Sequence, residues 1–178
     1  MSKYAREENE RRFLLPEAPA SAQVLLVRDI EDWYIRDSTL RLRKVTTGTD
    51  TVYKFGQKVR RAADDPARLW LTNLYITEDE YRLLRELPGA LVRKQRSLAV
   101  VGRHRVGIDR FAGDLNGLVL AESALDAPDP GGLATALGAV ADVTHENRFS
   151  GGALAQTSPT ELAALLRVYG LTASGPQA

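Results

Sequence analysis

The chain has 178 residues, enough for one domain with a substantial core and too few for two ordinary ones. Its 24 Lys+Arg are set against 23 Asp+Glu, so a cationic site must come from local arrangement, and the net charge of +1 argues against a dedicated nucleic-acid binder. With no cysteine there is no disulfide framework, thiolate metal site or Cys nucleophile, and two histidines make a poor basis for a His-rich zinc site.

The first segment, residues 1–12, is charged and has no apolar signal-peptide core, and no later apolar run approaches the roughly 20 residues that span a bilayer. The expected compartment is the cytoplasm. Period-two alternation bounded by turn residues predicts strands at about 7–14, 39–46, 51–59, 68–76, 91–100, 104–112 and 117–125. Two helices are predicted among them. Thr77 and Glu80 form a capping box ahead of Tyr81, Leu83, Leu84 and Leu87, and Pro88-Gly89 stops the run. Ser158 with Pro159 starts the second helix, which carries Leu162, Leu165, Leu166 and Tyr169 and ends at Gly170. A shorter helix is expected near 133–140, after a Pro/Asp/Gly loop over 126–132. Residues 1–172 are expected to form a single domain and 173–178 a disordered tail.

The informative feature is where charges sit within the strands. Residues two apart share a strand face, which groups Glu8, Glu10 and Arg12, then Arg41 with Arg43, Lys54 with Lys58, and Lys94 with Arg96. Glu122 has the same character in the otherwise apolar run 117–122. Any one such row is an ordinary solvent face of an antiparallel sheet. Repeated, the rows point to a polyanion site, because crowded like charges need an opposite charge or water to compensate them. Rolled together, they would place many basic groups for phosphate oxygens beside a few carboxylates for a hard cation.

In order along the chain these motifs resemble the CYTH, or triphosphate tunnel metalloenzyme, superfamily over about residues 4–155. Glu8-Asn9-Glu10-Arg11-Arg12-Phe13 is similar to its N-terminal Glu-x-Glu-x-Lys signature. Tyr34-Ile35 with Leu40-Arg41-Leu42-Arg43 resembles its second strand, and residues 53–58 its lysine-bearing third. Arg93-Lys94-Gln95-Arg96 is similar to the basic strand, and residues 107–111 to the strand that carries acidic residues before Phe. The segment Gly113-Asp114-Leu115-Asn116-Gly117-Leu118-Val119-Leu120-Ala121-Glu122 is the most specific match, and Asp142-Val143-Thr144 with Arg148-Phe149-Ser150 resembles the closing motif.

The resemblance implies a mainly antiparallel α+β fold, an eight-stranded closed β-barrel with a few packing helices. It implies Mg²⁺ or Mn²⁺ held by Glu8, Glu10 and Glu122, and phosphates held by Arg41, Arg43, Lys58, Lys94, Arg96 and Arg148. Lys54 or Lys58 is the inward lysine, with Lys58 preferred. Glu8, Glu10, Arg12 and Asp109 are the candidate catalytic residues, Asp109 to orient a water or a second ion.

Three positions depart from the family pattern. Arg12 stands where lysine is usual and cannot accept a proton, Gly107 occupies a commonly acidic position, and Ala124 replaces the second carboxylate of Glu-x-Glu. The expected function is metal-dependent hydrolysis of inorganic triphosphate or a triphosphorylated small molecule. The alternatives are a non-catalytic polyphosphate or nucleotide binder and a class IV-like adenylate cyclase. Neither a nucleic-acid polymer nor a membrane is an expected partner. His104, His145, Trp33, Tyr34, Trp70 and Tyr75 read as surface or packing residues.

Overall fold

The structure, a computed structural model, describes residues 5–60, 68–124 and 132–172, without the side chains of Glu8, Arg60, Arg68 and Ala124. The strands are β1 (Arg6–Leu15), β2 (Gln23–Ile35), β3 (Leu40–Thr47), β4 (Asp50–Arg60), β5 (Arg68–Ile76), β6 (Gly89–Val101), β7 (His104–Ala112), β8 (Val119–Ala124) and β9 (Ala141–Asp142). The helices are α1 (Glu78–Arg85), α2 (Leu133–Leu137), α3 (Gly151–Leu154) and α4 (Pro159–Val168). The expected tail at 173–178 and most of the loop at 126–132 lie outside the described residues.

All strand pairs are antiparallel, in the order β5-β4-β3-β2-β6-β7-β8-β1-β9, with a further pairing of β5 to β1. Along β1 the partner changes. Arg6, Glu7, Glu8 and Asn9 lie opposite β5, whereas Glu10 to Leu15 lie opposite β8, and no β1 residue pairs with both. At Phe13 and Leu14 the edge away from β8 is taken by β9. The expected eight-stranded closed barrel is therefore corrected. The described sheet has nine strands and rolls over without continuous closure, because the ten residues of β1 divide their pairing between two neighbours.

The rolled sheet changes character along its concave face. Leu14, Phe111 and Leu120, which share the parity of Arg12, Asp109 and Glu122, are buried with Phe149, Leu154, Leu162, Leu165 and Leu166. One end of the roll is thus plugged by α3 and α4, while the charged rows lie further along the same strands. The opposite parity, with Phe13, Leu15, Ile108 and Ala121, packs against Leu133 and Leu137 of α2. Burial of such side chains stabilises by about 1.5–3 kcal/mol each, which fixes strand register against a one-residue slip.

The helix signals were legible. Thr77 caps α1 with Glu80 in a complete capping box, and Ser158 does the same for α4 with Glu161. The short helix expected near 133–140 ends at Leu137, where Gly138 turns left-handed with φ 62°. The expected packing stripe of α1 is corrected, since only Tyr81 is buried and Leu83 is exposed. No helix among the described residues is long and apolar enough to cross a membrane.

Candidate functional site

The charged rows converge on one cavity of about 400 Å³. Arg12 on β1, Arg41 and Arg43 on β3, Lys54 and Lys58 on β4, and Lys94 and Arg96 on β6 all line it. These seven cations face three lining carboxylates, Glu10, Glu122 and Glu146, so the cavity is strongly basic in a nearly neutral chain. Both lysines of β4 line it, which removes the choice between Lys54 and Lys58.

Register explains the convergence. Tyr34 lies opposite Arg41 and Asp32 opposite Arg43 across β2 and β3, and Arg43 lies opposite Lys54 across β3 and β4. Directly opposed residues share a face, so β3 and β4 deliver their basic side chains to the side on which β2 presents Tyr34 and Asp32. Asp32, buried between them, was not anticipated. Both its oxygens accept from Arg43, at 2.6 and 2.7 Å, and Arg41 Nε lies 3.6 Å away. Burial pushes the Asp32 carboxyl up, but Arg41 and Arg43 outweigh it and hold it well below the ordinary carboxylate range. Arg41 Nε is buried and makes no hydrogen bond, its ion pair with Asp32 being too long for one, which leaves a donor without an acceptor at the cavity wall.

The opposite wall carries its own counter-charges. Arg12 donates through Nε to Glu122 Oε1 at 3.1 Å, and its terminal nitrogen lies 3.0 Å from the same oxygen. Arg96 donates to Glu122 Oε2 and to both oxygens of Asp109, the latter at 2.6 Å each. Lys94 Nζ donates to Asp109 at 2.6 Å. Burial raises the Glu122 carboxyl, yet Arg96, Lys94 and Arg12 hold it well below its usual range. Lys94 is lowered, first by burial and then by Arg96, against the opposing pull of Asp109.

Two backbone features set this geometry. The segment Asp142-Val143-Thr144 pins β1 beside Arg12: the Arg12 N–H donates to Thr144 Oγ1 at 3.0 Å, and the Val143 N–H donates to the Arg12 carbonyl at 2.8 Å. Gly107 lies opposite Glu122, and a Cβ there would touch the Arg96 side chain at 3.4 Å. Arg96 therefore occupies the space in which a longer side chain at position 107 would stand.

The expected residues are thus partly assembled. Glu10, Arg12, Arg41, Arg43, Lys54, Lys58, Lys94, Arg96 and Glu122 share the cavity. Asp109 is buried beneath Lys94 and Arg96 and does not line it. Arg148 does not line it either, and lies 2.7 Å from Glu146 with half its side chain exposed. The Glu8 side chain lies outside the described residues. Tyr34, Ser38, Thr39, Asn73, Thr144 and Ser150 were missed as lining groups. Polar residues of this kind are common at strand ends and turns and carry no signal of their own in sequence.

Of the expected metal ligands Glu8, Glu10 and Glu122, only Glu10 and Glu122 have described side chains, and both line the cavity. Glu122 has both oxygens engaged by guanidinium groups, and among the described residues no group of three or more His, Asp or Glu is placed to hold a metal.

No protein-family model matches the chain, and no curated protein matches it. Solved structures do. A structure of the inorganic triphosphatase NE1496 is 21% identical with a TM-score of 0.55, covering 85% of this chain and 96% of that one. A structure described as the hypothetical protein NE1496 is 22% identical with a TM-score of 0.56, covering 85% and 99%. The PH1819 protein from Pyrococcus horikoshii OT3 is 15% identical with a TM-score of 0.53, covering 97% and 95%. Identities this low speak for the fold alone, and with the ordered motifs on its strands the chain carries the fold of the CYTH, or triphosphate tunnel metalloenzyme, proteins.

Proposed function

We propose that the chain binds inorganic triphosphate, or the triphosphate of a small molecule, in this cavity and hydrolyses its phosphoanhydride bond. The observation that carries the proposal is the row of seven cations, with the buried Arg41 Nε still lacking a hydrogen-bond acceptor. A triphosphate supplies many acceptor oxygens in a chain, and guanidinium groups bind such oxygens with charge-assisted hydrogen bonds. The substrate enters with Mg²⁺ or Mn²⁺ as its own counter-ion. Similarity in fold to an inorganic triphosphatase supports the same substrate class.

The chain's residues would act by position and charge. Arg41, Arg43, Lys54 and Lys58 neutralise the phosphate oxygens, and Lys94 and Arg96 are held against the opposite wall by Asp109. Fixed cations of this kind stabilise charge developing on the transferred phosphoryl group and its leaving oxygen. Glu10, a carboxylate on the cavity wall, is assigned to orient the attacking water. Arg12 takes no proton at any step, because guanidinium stays protonated.

Phosphate release from tripolyphosphate with Mg²⁺ or Mn²⁺, with ATP in parallel, tests the assignment. Turnover is expected, and Glu10→Gln and Arg41→Ala should each abolish most of it. Undiminished rates in both variants would place hydrolysis elsewhere. A second reading, a binder without turnover, is favoured by the engagement of Glu122 with Arg12 and Arg96. Binding by calorimetry with no phosphate released would select it.

A further inference from the structure

We infer that the cavity binds its polyphosphate without a resident divalent cation, Arg12 holding Glu122 where a metal ion would otherwise sit. The inference rests on the polyphosphate assignment above and deepens it, since it names the species recognised: the free polyanion as well as its metal complex.

Charge placement carries it. A hard cation needs carboxylate oxygens with open lone pairs facing one point. On the β7–β8 wall, Glu122 Oε1 is taken by Arg12 and Oε2 by Arg96, while the two oxygens of Asp109 are taken by Arg96 and Lys94. The side chain of Glu122 is 14% exposed and that of Arg12 16%, so water screens this pair weakly. Admitting a metal would displace a guanidinium from Glu122 and set that cation beside the incoming dication.

Space agrees with charge. Arg96 fills the volume above Gly107 that a longer side chain would need. Of the two other lining carboxylates, Glu146 accepts from Arg148 at 2.7 Å and from the backbone N–H of the same residue, and Glu10 acts through its charge on Arg96. The guanidinium of Arg12 also differs from a lysine ammonium in a useful way. Its planar fork grips Glu122 through two nitrogens.

The test uses the full chain and three titrations by calorimetry. Tripolyphosphate is titrated into wild-type protein in EDTA and again in excess Mg²⁺, and Mn²⁺ alone is titrated into protein without ligand. The expected affinity in EDTA lies within about threefold of that in Mg²⁺, with no Mn²⁺ uptake tighter than about 1 mM. Binding that appears only with Mg²⁺, or stoichiometric Mn²⁺ uptake well below that concentration, overturns the inference and leaves the polyphosphate site standing. Absence of binding under both conditions overturns the site and the inference together. Arg12→Gln, which releases Glu122 Oε1, should raise Mn²⁺ affinity at least about tenfold over wild type, and no gain in a folded variant counts against the role of Arg12.

Discussion

The two walls of the cavity hold similar numbers of cations and use them differently. On β1, β6, β7 and β8, Arg12, Lys94 and Arg96 are bound to Glu122 and Asp109 in one buried network. On β3 and β4, Arg41 and Arg43 share Asp32, and Lys54 rests 5.0 Å over the ring of Tyr75. The first wall is largely compensated from within and serves mainly to position; the second, with one buried carboxylate for its cations, keeps more positive charge for a ligand. Basic residues of the same type and parity therefore do different work according to how many of them each buried carboxylate has to compensate.

The largest expected effect breaks the first wall. Asp109→Ala should destabilise by about 3–5 kcal/mol, because Lys94 and Arg96 would remain buried without their shared counter-charge. Urea unfolding measures it, and a loss below about 1 kcal/mol would show that the network is not a structural unit. On the second wall the expected effect falls on binding. Arg41→Ala should weaken tripolyphosphate by about 1.5–3 kcal/mol, roughly 10–100-fold, with a salt dependence shallower than that of wild type. Lys54→Ala should weaken it less and leave unfolding nearly unchanged, since Lys54 is held by a ring contact.

pH sharpens the same contrast. Asp32 and Glu122 are both held below their ordinary values, so each contributes stability that is fully present above the unfolded-state pKa and is lost as pH falls through the folded one. Acid unfolding monitored by circular dichroism should begin only below the ordinary carboxylate range. Lys94 is lowered, and a polyanion favours its charged form, so tripolyphosphate affinity should fall as pH rises through a value below the usual lysine range. Lys94→Arg should remove that alkaline limb. The smallest effect lies outside both walls: Thr77→Ala and Ser158→Ala should each cost about 1 kcal/mol through a lost helix cap.

Much of this contrast was legible in sequence. Seven of the nine strands were marked by alternation, and the parity of Arg41 with Arg43, Lys54 with Lys58 and Lys94 with Arg96 brought each pair to the cavity. β2 was missed because Asp29, Glu31 and Asp32 interrupt its apolar pattern, and the buried role of Asp32 depends on Arg43 lying opposite on another strand. The two-residue β9 is too short to leave a period. Asp109 read as a possible water-orienting group, whereas cross-strand pairing with Arg96 puts it under the wall. Continuous closure was beyond sequence altogether, because it depends on where along β1 the partner changes from β5 to β8.

The central claim is that the basic cavity is a triphosphate site, and calorimetric titration of tripolyphosphate into wild-type protein and Arg41→Ala at two salt concentrations tests it most directly. Saturable binding by wild type, weakened by added salt and by at least about tenfold in the variant, is the predicted result. Absence of saturable binding, or equal affinity in both proteins, would contradict it.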